Sequence, residues 1–206
     1  MYEKYTKRII DIIFAGLLLV LLLPFAVIIA IVIKVDSKGP VFFRQQRYGK
    51  HKKPFLIYKF RTMTVHAPSD TATSDFYDSH SYITGIGKIL RKLSIDELPQ
   101  FVNVLKGEMS IVGPRPVVLT ETLLITERSR YHANACKPGI TGWAQVNGRD
   151  ELNARQKAKL DGYYAKHISF ALDIKCLLKT VHVILSSSGH AEGHEQSRKK
   201  IIRELE

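Results

Sequence analysis

Residues 12–33 read IIFAGLLLVLLLPFAVIIAIVI, 22 positions without a charge and twenty of them apolar, Gly16 and Pro24 being the exceptions. Wound as a helix at 1.5 Å per residue, the run reaches about 33 Å, enough to cross a hydrocarbon core of roughly 30 Å. A cleaved signal sequence fits poorly, because the run ends in Lys34-Val35-Asp36-Ser37-Lys38 and not in a pair of small residues. Pro24 removes one backbone hydrogen bond and crowds the carbonyl of Val20, so a kink is expected. Lys4, Lys7 and Arg8 precede the run; Lys34, Lys38, Arg44, Arg47, Lys50, Lys52 and Lys53 follow it. Basic flanks favour the cytoplasmic side, here for both ends. Limbs of about 18 Å and about 14 Å around Pro24 each reach half the core, which favours a re-entrant helix over a spanning one. Against this, no Ser, Thr or Asn near Pro24 can satisfy the freed carbonyl.

The whole chain has 206 residues, which at roughly 150 per domain suggests one compact unit with appendages. With 45% apolar and 24% charged residues it is neither a disordered tail nor a polytopic membrane protein. The 31 Lys and Arg against 19 Asp and Glu give +12, which points to a polyanionic partner: nucleic acid, anionic lipid or a phosphate-rich substrate. Cys136 and Cys176 are too few for a disulfide framework or a four-Cys zinc site and read as buried small apolar residues.

Beyond the run, Val41–Phe43 and Phe55–Tyr58 predict a short β-hairpin, and residues 64–82 a polar loop. Leu98, Phe101, Val102 and Leu105 predict a helix from Ser94 or Asp96 to Lys106, stopped by Gly107. Ile174, Leu177, Leu178, Val181, Ile184 and Leu185 form the stripe of a second helix over 173–186, with Lys175, Lys179 and His182 away from it. Such a helix faces a core or lies among headgroups, and the core is the commoner solution. The stretch after Ser186 reads as a tail.

Ser94-Ile95-Asp96-Glu97-Leu98-Pro99 puts adjacent carboxylates in the first turn of a helix. Ser94 and Glu97 fit a capping box, which accounts for them without chemistry. A helix starting at Asp96 seats Pro99 better and leaves Asp96 among free backbone donors that also suit a phosphate. An ionised carboxylate there can attack phosphorus, and its neighbour can hold Mg²⁺. Lys59 and Arg61 of KFRTM, Arg91, and Arg115 between Pro114 and Pro116 supply cations, the prolines stiffening the turn that aims Arg115. Residues 137–149, KPGITGWAQVNGR, combine three glycines with Gln145, Asn147 and Arg149, the composition of a ligand-contacting loop. No Walker A motif is present, and residues 85–90 fail G-x-G-x-x-G at the last position. His190 and His194 read as solvated tail residues despite their spacing.

KFRTM, SIDELPQFVNVLKGEMSIVGPRP and KPGITGWAQVNGR, in this order after a proline-interrupted apolar segment, resemble the bacterial sugar transferase family, in particular its small monotopic, PglC-like phosphoglycosyl transferases. The resemblance runs from about residue 7 to 185. It implies an α+β, mostly helical monotopic membrane protein: a Pro24-broken re-entrant helix with basic flanks (1–38), a cytoplasmic catalytic domain with a β-hairpin and amphipathic interfacial helices (39–188), and a C-terminal tail (189–206). It also implies transfer of a sugar 1-phosphate from a UDP-sugar to polyprenyl (undecaprenyl) phosphate, giving polyprenyl-diphosphate-sugar and UMP, with Mg²⁺ as cofactor. Asp96 would be the nucleophile that carries the phosphosugar, and Glu97, with Asp96, would bind metal. Lys59, Arg91 and Arg115 would hold phosphates. The setting is the cytoplasmic face of a bacterial inner membrane, at the first membrane step of glycoconjugate synthesis. Anionic lipid and downstream glycosyltransferases are the further partners expected, and nucleic acid is not.

Two rivals remain open at this point. A non-enzymatic membrane-tethered basic protein explains +12 equally well but not paired acids beside aimed arginines. Direct single-step transfer would leave Asp96 as a metal ligand only.

Overall fold

The computed structural model describes residues 2–67, 79–148 and 151–186. The polar stretch 68–78, Arg149, His190, His194 and the tail lie outside them. After a π-helical turn at Tyr2–Thr6, α1 (Lys7–Asp36) is followed by β1 (Phe42–Tyr48) and β2 (Pro54–Phe60), then α2 (Ser79–Tyr82), α3 (Gly85–Lys92) and α4 (Gln100–Lys106). β3 (Ser110–Val112), α5 (Thr122–Arg130), β4 (Gly139–Thr141), α6 (Ala154–Lys166) and α7 (Phe170–Ser186) complete the order. The architecture is mostly helical with one antiparallel hairpin, β1 with β2, and a short parallel pair, β3 with β4, that the sequence did not announce.

The apolar run is helical from end to end, with Pro24 inside the helix. A single proline removes one rung of the ladder, and the neighbouring rungs carry the helix through. Both ends of α1 are tied to the same body. At the start, Arg8 donates to the carbonyls of Val104 and Leu105, and Asp11 Oδ1 accepts from Ile111 N at 3.0 Å. At the end, Ile33 is buried with Phe60 and Leu90, and Asp36 Oδ2 accepts from Ile86 N at 3.3 Å. Between these ties, Leu17, Val20, Leu21, Leu23, Phe25, Val27 and Ile28 are exposed.

The helix faces correct the periodicity reading. On α7 the stripe residues Ile174, Leu178 and Val181 are exposed, as is Phe170, while Asp173 and Cys176 are buried. On α4 the buried residues are Gln100, Phe101, Asn103 and Val104, with Val102 and Leu105 outward. The reason lies in the hydrogen bonds. Asp173 accepts from the Tyr2 hydroxyl, Lys7 Nζ and the Tyr164 hydroxyl, joining the N-terminal turn, α1 and α6. Asn103 accepts from Tyr58 N and donates to Leu56 O, tying α4 to the hairpin. The polar residues on α1, α4 and α7 fasten elements together inside, and much apolar surface is turned out, an arrangement that suits a lipid surface and not water.

Candidate active site

The hairpin, the turn before α4 and the loop after β3 converge on one cleft, lined by Arg47, Ile57, Lys59, Glu97, Gln100, Arg115 and Pro116. Ser94 takes a left-handed conformation, φ 55°, and makes no capping hydrogen bond with its side chain, so the expected Ser94–Glu97 box does not form. Instead Ile95–Glu97 is a single 3-10 turn, and the α-helix proper starts only at Gln100, after Pro99. The helix predicted from 94 or 96 is thus two pieces. A non-glycine residue with positive φ thus stands two positions before the first acid, a conformation that the surrounding structure has to hold.

Asp96 is 8% exposed. Lys59 Nζ lies 2.8 Å from Glu97 Oε1 and 3.7 Å from Asp96 Oδ2, and Arg115 Nη1 lies 3.2 Å from the same Glu97 oxygen. Burial pushes the Asp96 carboxyl above the usual carboxylate range; Glu97 adds to this, while Lys59, Arg91 and Arg115 oppose it. Arg91 is anchored by donation from Nε to Thr62 Oγ1 at 2.9 Å. The structure therefore brings Lys59, Arg91, Asp96, Glu97 and Arg115 together from four separate stretches of sequence.

Arg115 is aimed by its backbone. Three consecutive carbonyls are held: Pro114 O accepts from Gly139 N at 2.9 Å, Arg115 O from Arg128 Nη1 at 3.0 Å and Pro116 O from Arg47 Nη1 at 3.2 Å. Arg128 is itself fixed by a buried ion pair with Asp161, 2.6 Å. The prolines account for part of this stiffness, and the clamps for the rest.

Other candidates are spent elsewhere. Arg61 is buried and donates to Ser37 O, Lys38 O and Ser37 Oγ, fastening the end of α1 to the hairpin. Gln145 donates to Ile140 O, and Asn147 donates to Trp143 O while accepting from Lys179 Nζ. Their glycine neighbours permit backbone packing instead of ligand approach: a Cβ on Gly113 would stand 3.0 Å from Gly139 N. The loop is a buttress under the Pro114-Arg115-Pro116 turn. Arg47 was not among the expected site residues, and its signal was available only as alternation, since Arg47, Gln45 and Lys59 share a face of the hairpin.

Two consecutive carboxylates offer hard oxygen donors, and Mg²⁺ characteristically takes one or two of these with waters and substrate phosphates. Among the described residues no third His, Cys, Asp or Glu joins them. The donor set fits an ion completed by substrate.

Comparison with known proteins agrees with this geometry. The bacterial sugar transferase model matches residues 2–187. The uncharacterized sugar transferase EpsL of Bacillus subtilis (strain 168) is 47% identical over 159 residues, 77% of this chain and 76% of its own length. The UDP-N-acetylgalactosamine-undecaprenyl-phosphate N-acetylgalactosaminephosphotransferase of Aeromonas hydrophila is 40% identical over 190 residues, 90% of this chain and 45% of that protein. The UDP-glucose:undecaprenyl-phosphate glucose-1-phosphate transferase of Escherichia coli (strain K12) is 42% identical over 186 residues, 87% of this chain and 40% of that protein. The chain spans less than half the length of these last two. With a family model covering residues 2–187 and a relative of similar extent at 47% identity, the chain belongs to the bacterial sugar transferase family.

Proposed function

We propose that the chain transfers a sugar 1-phosphate from a UDP-sugar to undecaprenyl phosphate, releasing UMP, through a phosphosugar carried on Asp96. The observation that carries the reading is one buried carboxylate, Asp96, set beside a second that Lys59 and Arg115 grip, with Arg91 also acting on it. In the first displacement a carboxylate oxygen of Asp96 bonds to the sugar-bearing phosphorus, and the bond from that phosphorus to the bridging oxygen breaks. UMP leaves with the electron pair. In the second, a phosphate oxygen of the lipid bonds to the same phosphorus and the Asp96–phosphorus bond breaks, restoring the carboxylate. One site thus serves two acceptors in turn.

Lys59 and Arg115 orient Glu97 and place positive charge where the transferring phosphoryl group spreads negative charge. Mg²⁺ held by Asp96 and Glu97 would neutralise phosphoryl oxygens as a Lewis acid. Burial of Asp96 strips water from the attacking oxygen, and Lys59, Arg91 and Arg115 favour its ionised form against that burial.

The same proposal places α1 as a helix that enters one leaflet and returns, with the catalytic body on the cytoplasmic face of the inner membrane over anionic headgroups. Supporting it are the ties of Arg8 and Asp11 at one end of α1 and of Ile33 and Asp36 at the other to a single body. A straight crossing would separate them by the bilayer.

Incubation of the pure chain with Mg²⁺ and a panel of UDP-sugars, without lipid, tests the covalent step. UMP and an intact-mass gain of one sugar phosphate on wild type, absent in Asp96→Asn, are expected. Turnover with lipid but no adduct from the same donor would replace the covalent reading by direct transfer.

A further inference from the structure

The register of the hairpin pairs Phe43 with Lys59, Gln45 with Ile57 and Arg47 with Phe55, so the face that delivers Lys59 to Glu97 also carries Arg47. Arg47 lines the same cleft as Lys59, Glu97 and Arg115. Two of its nitrogens fix the plane of its guanidinium: Nη1 donates to Pro116 O at 3.2 Å and Nη2 to Gln45 Oε1 at 2.6 Å. Its Nε is buried and has no hydrogen-bond partner among the described residues.

Both of these acceptors are neutral, and a partly buried cation without a bonded counter-ion among the described residues is costly to keep. Burial, and next the charge of Arg115, bring the Arg47 guanidinium down to about 10 against the opposing pull of Glu121 and Glu97, so it stays charged at neutral pH in surroundings that leave room for a further anion. Arg61 has a buried Nε without partner too, but it is turned to the end of α1 and is not in the cleft. Position in the cleft is what sets Arg47 apart.

We propose that Arg47 is a further phosphate-binding residue of this cleft, its guanidinium meeting the diphosphate of the donor opposite Arg115. The identity of that diphosphate rests on the function proposed above; the anion site does not. Because Arg47 also holds Pro116 O, an anion on its guanidinium would be bound to the turn that aims Arg115. The donor would then meet two arginines of one rigid unit.

The test uses the full chain in detergent, with inorganic pyrophosphate and uridine as separate calorimetric probes and UMP release from UDP-sugars measured in parallel. Arg47→Met should weaken pyrophosphate by about tenfold or more and leave uridine unchanged. Arg47→Lys, which keeps the charge without the planar fork, should fall between. Undiminished pyrophosphate affinity in either variant, equal losses for pyrophosphate and uridine, or no pyrophosphate binding by wild type would overturn the proposal. Should Arg47→Met not fold, Arg47→Lys alone decides. Arg47-dependent pyrophosphate binding in a wild-type chain that releases no UMP from any UDP-sugar would remove the proposed function and leave this anion site standing.

Discussion

Lys59 Nζ lies 2.8 Å from Glu97 Oε1 but 3.7 Å from Asp96 Oδ2, so the lysine grips one acid of the pair and only approaches the other. Glu97 is thereby oriented, and among the described residues no shorter ion pair engages the Asp96 carboxylate. Lys59 is also the strongest of the charges that hold the Asp96 carboxyl down against burial. Lys59→Ala should push that carboxyl further up, moving the acid limb of single-turnover UMP release toward alkaline pH and lowering the rate at pH 7 by about tenfold or more. Lys59→Arg should restore part of both. An unmoved pH profile in Lys59→Ala would show that the lysine does not tune Asp96.

Asp96→Asn should abolish the adduct and raise thermal stability at neutral pH. The folded carboxyl sits above its unfolded range because of burial. Ionised Asp96 therefore costs stability above its folded pKa, and nothing below the unfolded pKa, where both states are protonated. The gain in Tm for Asp96→Asn should be a few degrees near pH 7.5 and fade as pH falls below the ordinary carboxylate range, about 4. Differential scanning calorimetry at several pH values measures it; a loss of Tm at pH 7.5 would contradict the sign.

Arg61 is expected to behave as a fastening and not as a substrate contact. Its fork holds Ser37 O and Lys38 O, where α1 leaves for the hairpin. Arg61→Ala leaves two carbonyls without their donor and should cost about 2 to 4 kcal/mol of stability. The KM for UDP-sugar of the protein that remains folded should stay within about twofold of wild type. Gly39→Ala should act on the same junction, since Gly39 has φ +124° and its Cβ would run into the Arg61 guanidinium. A large KM change with an unchanged melting curve in Arg61→Ala would return Arg61 to the substrate.

Legibility followed the kind of information each feature needs. Asp96, Glu97 and Arg115 stand out by residue type and by stiff or capping neighbours, whereas Lys59 and Arg91 are set apart from other surface cations only by the family resemblance. The left-handed Ser94 was not readable, because serine carries no local preference for that conformation, and its cause lies in the surrounding packing. The hairpin was found five residues short on the first strand and three on the second, since Arg44, Gln46 and Arg47 look like loop residues until their partners on β2 are known. Periodicity located α4 and α7 but gave their inner faces only in part: Leu98, Phe101 and Leu177 pack on the core, while Val102, Leu105, Ile174, Leu178 and Val181 turn out. A stripe such as Ile174, Leu178 and Val181 announces an apolar neighbour without saying whether it is protein or lipid. Asp173 and Asn103 carried the missing clue, as polar residues whose full set of partners lies inside.

The outward stripe of α7 predicts a membrane contact that can be removed without touching chemistry. Phe170, Ile174, Leu178 and Val181 are exposed, and Lys175 and Lys179 flank them near Trp143. Ile174→Glu with Leu178→Glu should lower the amount of protein recovered with anionic vesicles and raise the apparent KM for lipid phosphate. The mass adduct formed from UDP-sugar without lipid should persist. Loss of the adduct together with the vesicle binding would mean that the stripe supports the fold.

Topology separates the two uses of a 30-residue apolar helix most sharply. Glu3 and Lys38 are exposed on opposite ends of α1, so cysteines placed there report each end. Cys136 and Cys176 are buried, and burial pushes both thiols up to about 11, which keeps their reaction with a maleimide slow and the background low. If α1 enters and leaves by one leaflet, an impermeant maleimide added to inside-out vesicles should label Glu3→Cys and Lys38→Cys alike, and added to intact spheroplasts should label neither. A crossing helix would instead expose one position to each side. Because Arg8, Asp11, Ile33 and Asp36 all bond or pack into the same body, such a result would also require one of those two anchor sets to be broken in the membrane. Labelling from opposite sides would therefore overturn both the re-entrant topology and the docking of one end of α1.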